Sequence, residues 1–263
     1  MSVRYERVGN AAVITIDRPE RRNAIDRATA EGLLRAWRDF DADSTALVGI
    51  LTGAGGYFCA GVDLVALDLV EQPEGWLGHT RAAVSKPTIA AVAGYAVAGG
   101  LELALWCDLR VAGAGAVFGC YERRFGVPLA DGGTQRLPRV VGLGRALDMI
   151  LTGRPVDAEE AWRMGLVDRL VPAGSELEEA LRLAGALAAF PQETMRSDRR
   201  AHARGGLRRR RGRPARSAAA RRAAPRWSRG TARRPRSIRG RPPTTRRGGS
   251  ARRPGGARAR PCR

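Results

Sequence analysis

Histidine is nearly missing from this chain of 263 residues: only His79 and His202 occur, far apart and without cysteine or carboxylate company at ligand spacing. That argues against a histidine-based catalytic triad and against a zinc site, so no metal is expected. Lysine is scarcer still, with Lys86 alone. The four cysteines, Cys59, Cys107, Cys120 and Cys262, form no CxxC pair and no disulfide framework, and a reducing cytosol is the expected compartment. No apolar run approaches the roughly 20 residues that span a bilayer. The N-terminal MSVRYERVGN also lacks the apolar core of a signal peptide. These absences point to a cytoplasmic protein with no membrane partner.

What the chain has in excess is arginine, and it is unevenly placed. Lys and Arg number 46 against 26 Asp and Glu, a formal charge of +20. From Ala201 to Arg263 there are 23 Arg and no Lys, Asp or Glu, so residues 1–200 carry a net charge of −3. In that C-terminal stretch Arg, Ala, Gly and Pro make up 51 of 63 residues, and Leu207, Trp227 and Ile238 are its only large apolar side chains. Too little surface can be buried there to offset backbone ordering, so a disordered tail is expected over 201–263. One reading is an arginine-rich arm for nucleic acid. The reading preferred here is a frameshift product, because these four amino acids share G/C-rich codons. Residues 1–200 are then one domain of ordinary size.

Along that domain, strands alternate with helices. Ala12–Ile16 reads as an apolar strand, and Asp26 as the N-cap of a helix to about Phe40. Ala46–Leu51 and Thr88–Ala93 read as buried strands, Leu101–Trp106 as a helix, Asp108–Ala112 as a strand and Phe118–Glu122 as a short extended piece. Helices follow at Thr134–Val140, Arg145–Leu151, Ala158–Met164 and Glu176–Phe190, with a strand at Leu166–Val171. This order argues an α/β fold with mostly parallel pairing and helices outside.

Two strands are expected to end in small-residue turns that open helices, Cys59-Ala60-Gly61-Val62 and Ala98-Gly99-Gly100-Leu101. Free N–H groups at such turns carry partial positive charge, and two facing turns could polarise a carbonyl oxygen. The plain alternative is that these glycines serve helix–strand packing. Glu102 is a charge in an otherwise apolar helix, and Glu122 follows Val117-Phe118-Gly119. The plain reading is that Glu102 complements the helix dipole and that Glu122 pairs with Arg123 or Arg124.

The stretch Ser85-Lys86-Pro87-Thr88-Ile89-Ala90-Ala91-Val92-Ala93-Gly94, followed by Ala98–Ala104 and Cys107-Asp108, resembles the enoyl-CoA hydratase/isomerase (crotonase) superfamily. CAGVDL at 59–64, DGGTQRLPRVVG at 131–142, the Arg18-Pro19 to Asn23-Ala24 turn and the segment from Leu151 to Pro172 agree with it, so the resemblance covers residues 2–200 but not the tail. It implies a spiral of ββα turns with outer helices and an acyl-CoA thioester as substrate, with coenzyme A part of the substrate and no separate cofactor. It further implies that the N–H groups of Val62 and Gly99 form an oxyanion hole and that Glu102 and Glu122 are the catalytic carboxyl groups. Ala60, Val62, Asp63, Leu64, Val65 and Gly99 would line the substrate, with Asn23 and Ala24 as weaker candidates, and Lys86 would be structural. The family's trimer or hexamer is the implied assembly, although the C-terminal helices that cover the acyl pocket are expected to be absent.

The implied reaction is syn addition of water across the double bond of a 2-enoyl-CoA. The alternatives are another reaction of the family, such as isomerisation or thioester hydrolysis, an inactive truncated member, and a nucleic-acid binder acting through the tail. Two departures bear on substrate choice. The usual GAGGTQRL appears as Ala130-Asp131-Gly132-Gly133-Thr134-Gln135-Arg136-Leu137, which adds a carboxylate near the acyl side, and Arg123-Arg124 directly follow Glu122.

Overall fold

In the computed structural model, residues 2–203 are described; the segment expected to be a disordered tail lies, from residue 204 on, outside them. The chain opens with a hairpin of β1 (Val3–Val8) and β2 (Ala11–Ile16). Only β2 has the uniformly apolar composition of a buried strand. In β1 the charges of Arg4, Glu6 and Arg7 mask an edge strand that sequence reading passed over.

Helix α1 (Arg27–Ala42) starts where expected, because the Asp26 carboxylate accepts from the N–H of Thr29 at 2.8 Å. It buries Leu33, Ala36, Trp37 and Phe40 at helical spacing. Strands β3 (Val48–Gly53) and β4 (Thr88–Val92) are buried along nearly their whole length. After them come β5 (Tyr95–Val97), α2 (Gly99–Trp106), β6 (Leu109–Gly113) and β7 (Val117–Gly119). The remaining elements are α3 (Gly133–Val141), α4 (Leu143–Thr152), β8 (Val156–Asp157), α5 (Ala158–Arg163), β9 (Arg169–Val171), α6 (Glu176–Ala188) and α7 (Gln192–Ala203). Among the described residues no helix is long and apolar enough to cross a membrane.

Six strands form one sheet in the order β1-β2-β3-β4-β6-β9, parallel except for the opening hairpin. A smaller sheet has the order β5-β7-β8. The chain alternates between the two: β4 leads into β5 and then α2, β6 leads into β7, and after β3 Cys59 bridges to Ala96 of β5. This is the expected spiral of ββα turns, with helices packed outside the parallel sheet. One sheet face packs Val13, Ile50, Ile89 and Val111 against Ala180, Leu183 and Ala184 of α6. The opposite face packs Ile14, Leu51 and Val92 against α1 and α2, and α2, apolar but for Glu102, is buried from Gly99 to Leu105.

Three local expectations change. The turn at Cys59–Val62 opens no helix; it is held by single bridges, Cys59 to Ala96 and Val62 to Ile25. Of the extended piece read at Phe118–Glu122, Phe118 and Gly119 lie in β7, and from Tyr121 the chain turns instead into a 3₁₀ helix at Tyr121–Phe125, which Gly126 ends in a left-handed conformation at φ 70°. The strand near Leu166 is only Arg169–Val171. Lys86 is structural, as expected: its ammonium donates to the carbonyls of Phe40 and Asp43 at 2.6 Å each.

Candidate active site

A cavity of about 1020 Å3 opens between the Cys59–Val62 turn, the start of α2, the Tyr121–Phe125 helix and the loop before α3. Of the residues proposed from the sequence to act or to line substrate, all but Asn23 border this one cavity: Ala24, Ala60, Val62, Asp63, Leu64, Val65, Gly99, Glu102 and Glu122. Asn23 does not border it. Its buried side chain accepts from the N–H of Arg18 and donates to the carbonyls of Ala54 and Tyr57, fixing the turn that presents Ala24.

The two glycine turns touch. Gly61 has φ 93°, which favours glycine, and a Cβ added there would stand 3.0 Å from the Gly99 nitrogen. A Cβ on Gly100 would stand 2.1 Å from the Cys59 carbonyl oxygen, so this glycine serves close packing of α2 on the other turn. Between them Ala98 is held at φ 51°, ψ −125°, a strained conformation for a residue with a Cβ. Among the described residues neither the N–H of Val62 nor that of Gly99 donates to a protein acceptor, whereas Ala98 N–H donates to Gly119 O. The result is two adjacent free donors at the cavity wall.

Glu102 and Glu122 are both buried. Glu102 Oε1 accepts from the N–H groups of Asp131 at 2.9 Å and Gly133 at 2.8 Å. Burial still pushes its carboxyl up to about 7, with the charges of Asp131 and Glu122 adding to the rise and the two N–H donors opposing it. Glu122 differs: neither of its carboxylate oxygens has a hydrogen-bond partner among the described residues. Burial raises its carboxyl above the ordinary glutamate range. Glu122 is therefore not the ion pair with Arg123 or Arg124 that the plain reading allowed.

Asp63 borders the cavity, but its carboxylate shapes the wall: it accepts from the N–H groups of Val65 and Ala66 and pairs with Arg18 at 3.0 Å. Burial pushes this carboxyl up, and those bonds outweigh it and hold it below the ordinary aspartate range. The departures at Arg123 and Arg124 resolve into contacts with the C-terminal end of α4. Arg123 donates to Ile150 O and Arg124 to Gly153 O, and the Arg124 guanidinium lies 3.9 Å over the Tyr121 ring. His79 lies outside the cavity, packed between Trp37 and Trp106, and burial lowers it to about 3.

Sequence reasoning missed the wall supplied by Trp76 and Leu77, which sit in a stretch without regular structure and therefore without periodicity to read. It also missed Leu129 and the Tyr121 face.

Comparison with known proteins gives one consistent family. The family described as "Enoyl-CoA hydratase/isomerase" matches residues 6–205. The chain is 40% identical over 197 residues to "Enoyl-CoA hydratase EchA19" of Mycobacterium tuberculosis, covering 70% of this chain and 73% of that protein. It is 38% identical over 192 residues to "Short-chain-enoyl-CoA hydratase" of Clostridium acetobutylicum, covering 70% and 74%. Among solved structures, enoyl-CoA hydratase EchA1 from Mycobacterium marinum aligns with a TM-score of 0.75 at 39% identity, over 78% of this chain and 84% of that one.

Proposed function

The chain belongs to the enoyl-CoA hydratase/isomerase family and is an enoyl-CoA hydratase-like enzyme, and we propose that it adds water to a 2-enoyl-CoA through Glu102, Glu122 and the N–H groups of Val62 and Gly99. The thioester oxygen lies between the two N–H donors, which stabilise it as enolate character develops when the β-carbon is attacked. Both donors are backbone groups on adjacent, tightly packed turns, so little reorganisation accompanies the charge shift. Ionised Glu102, held by Asp131 and Gly133, orients the water. Glu122 shuttles the proton from water to the α-carbon on the same face, giving syn addition. The acyl-CoA lies along Ala24, Ala60 and Val62–Val65, and coenzyme A arrives as part of the substrate, so no separate cofactor takes part.

The observation that carries this reading is Glu122. A buried carboxyl group with both oxygens unpartnered is costly, and here it borders a cavity beside a second carboxyl and two free N–H donors. Crotonyl-CoA hydration by the purified chain and its Glu122→Gln variant tests it. The variant loses about two to four orders of magnitude in kcat, while crotonyl-CoA binding stays within a few-fold. Unchanged turnover rules out the role.

Exposed Leu143, Leu147 and Leu151, at helical spacing on α4, support the implied trimer or hexamer, which a solution mass measurement checks. Cys59, Cys107 and Cys120, free and buried, are in keeping with a reducing cytoplasm.

A further inference from the structure

Asp131, the residue at which the loop before α3 departs from the family's motif, has only 1% of its surface exposed. A substrate-facing acid would leave an oxygen free. Instead Oδ1 accepts from Trp76 N–H at 3.0 Å and Oδ2 from Leu77 N–H at 2.6 Å. Its own N–H donates to Glu102 Oε1, and its carbonyl accepts from Arg136 at 2.6 Å. Arg136 also donates to Thr80 O, closing the same turn from the other side.

We propose that Asp131 is a positioning residue that clamps the Trp76–Leu77 backbone onto the cavity and, through its N–H and its charge, sets the proton affinity of Glu102. This rests on the role given to Glu102 above. The turn it holds reaches the other half of the site: a Cβ added to Gly99 would stand 2.9 Å from Leu77 Cδ1, so Leu77 packs on the glycine whose N–H faces the thioester oxygen. Gly75, at φ 112°, lets the turn come this close, since a Cβ there would stand 3.1 Å from Asp131 Oδ1. One residue therefore ties a loop without regular structure, through its carboxylate, both to the carboxyl that its N–H holds and to the oxyanion donor.

The groups that face Glu102 come from three further elements. Asp131 and Glu122 disfavour its ionisation, Arg136 of α3 favours it, and Cys120 stands neutral, its thiol pushed up to about 12 by burial. Removing the Asp131 charge subtracts one of the two like charges, and freeing the turn admits water. Both changes favour ionised Glu102, and the Asp131 N–H, a backbone group, is kept in either variant, so the midpoint moves to lower pH.

The test uses the whole chain with glutamate carrying 13C at Cδ, the Glu102 resonance being assigned by its loss in Glu102→Gln. Its titration is followed in the unsubstituted protein, in Asp131→Asn and in Asp131→Ala. The Ala variant carries the residue of the usual motif and serves if the amide of Asn, facing two backbone N–H donors, prevents folding. Alongside, kcat/KM for crotonyl-CoA hydration is measured from pH 5 to 9. The Glu102 midpoint and the matching limb of kcat/KM are expected to fall by about one pH unit, with KM for crotonyl-CoA raised several-fold. A merely structural residue would alter KM or stability without moving the titration. An unchanged midpoint in both variants overturns the proposal. A shifted midpoint in a protein that hydrates no crotonyl-CoA leaves the Asp131–Glu102 linkage standing and removes the hydratase role instead.

Discussion

Glu102 is held as a carboxylate by two N–H donors, yet it sits where ionisation is costly. The folded protein binds the Glu102 proton up to about pH 7, against an ordinary value of 4.5. The folded state therefore holds more protons than the unfolded state between those limits, and stability falls as pH rises from 4.5 through 7. The difference sets an upper bound of about 3 kcal/mol. Glu102→Gln keeps an oxygen for Asp131 and Gly133 N–H and removes the ionisation. It should stabilise the ligand-free protein at pH 8 by about 1–3 kcal/mol, leave it unchanged near pH 4, and remove most hydration activity. Urea unfolding at the two pH values checks this, and an equal effect at both would show that burial of the charge is not the cause. Glu122 is placed likewise: in the proposed role, a carboxyl with no partner gives up stability for reactivity.

At the scale of elements, α2 shows where such strain is stored. Ala98 precedes it at φ 51°, ψ −125°, a region that glycine enters freely. Ala98→Gly should raise stability by about 1 kcal/mol, read as a higher urea midpoint, since relief of strain exceeds the entropy that glycine adds to the unfolded chain. A lower midpoint would mean that the Ala98 methyl contributes packing that outweighs the strain. The same neighbourhood shows what a sequence can disclose. Strands β2, β3 and β4 and helix α1 were legible because burial imposes apolar runs and Asp26 marks its cap. Glu102 was legible as the one charge in an apolar helix. The contact of Gly61 with Gly99 depends on two turns 38 residues apart in the chain, and no local pattern encodes it. Asp131 could be marked as a departure, but its partners, Trp76 and Leu77 N–H, are backbone groups that carry no residue signature.

At the scale of the whole molecule the charge is segregated. Residues 1–200 carry a net charge of −3, and the remaining 63 residues carry 23 arginines with no acidic side chain. A coenzyme A thioester is polyanionic through its phosphates, so a run of arginines is expected to raise its local concentration at low ionic strength and to lose that effect as salt shortens the screening length. The chemistry proposed at Glu102 and Glu122 depends on residues between Arg21 and Asp131, which line the cavity. The association step and the chemical step should therefore separate. For the full chain, kcat/KM for crotonyl-CoA should fall several-fold between about 20 and 300 mM NaCl, while kcat holds. A chain ending at Ala203 should keep kcat and most of the high-salt kcat/KM, retaining only the shallow slope due to Arg21, Arg22 and Arg124 at the cavity mouth. Retention on heparin should drop with the same truncation. If the two chains share one salt slope, the arginines do not act on this substrate, and the cationic segment has no part in the reaction.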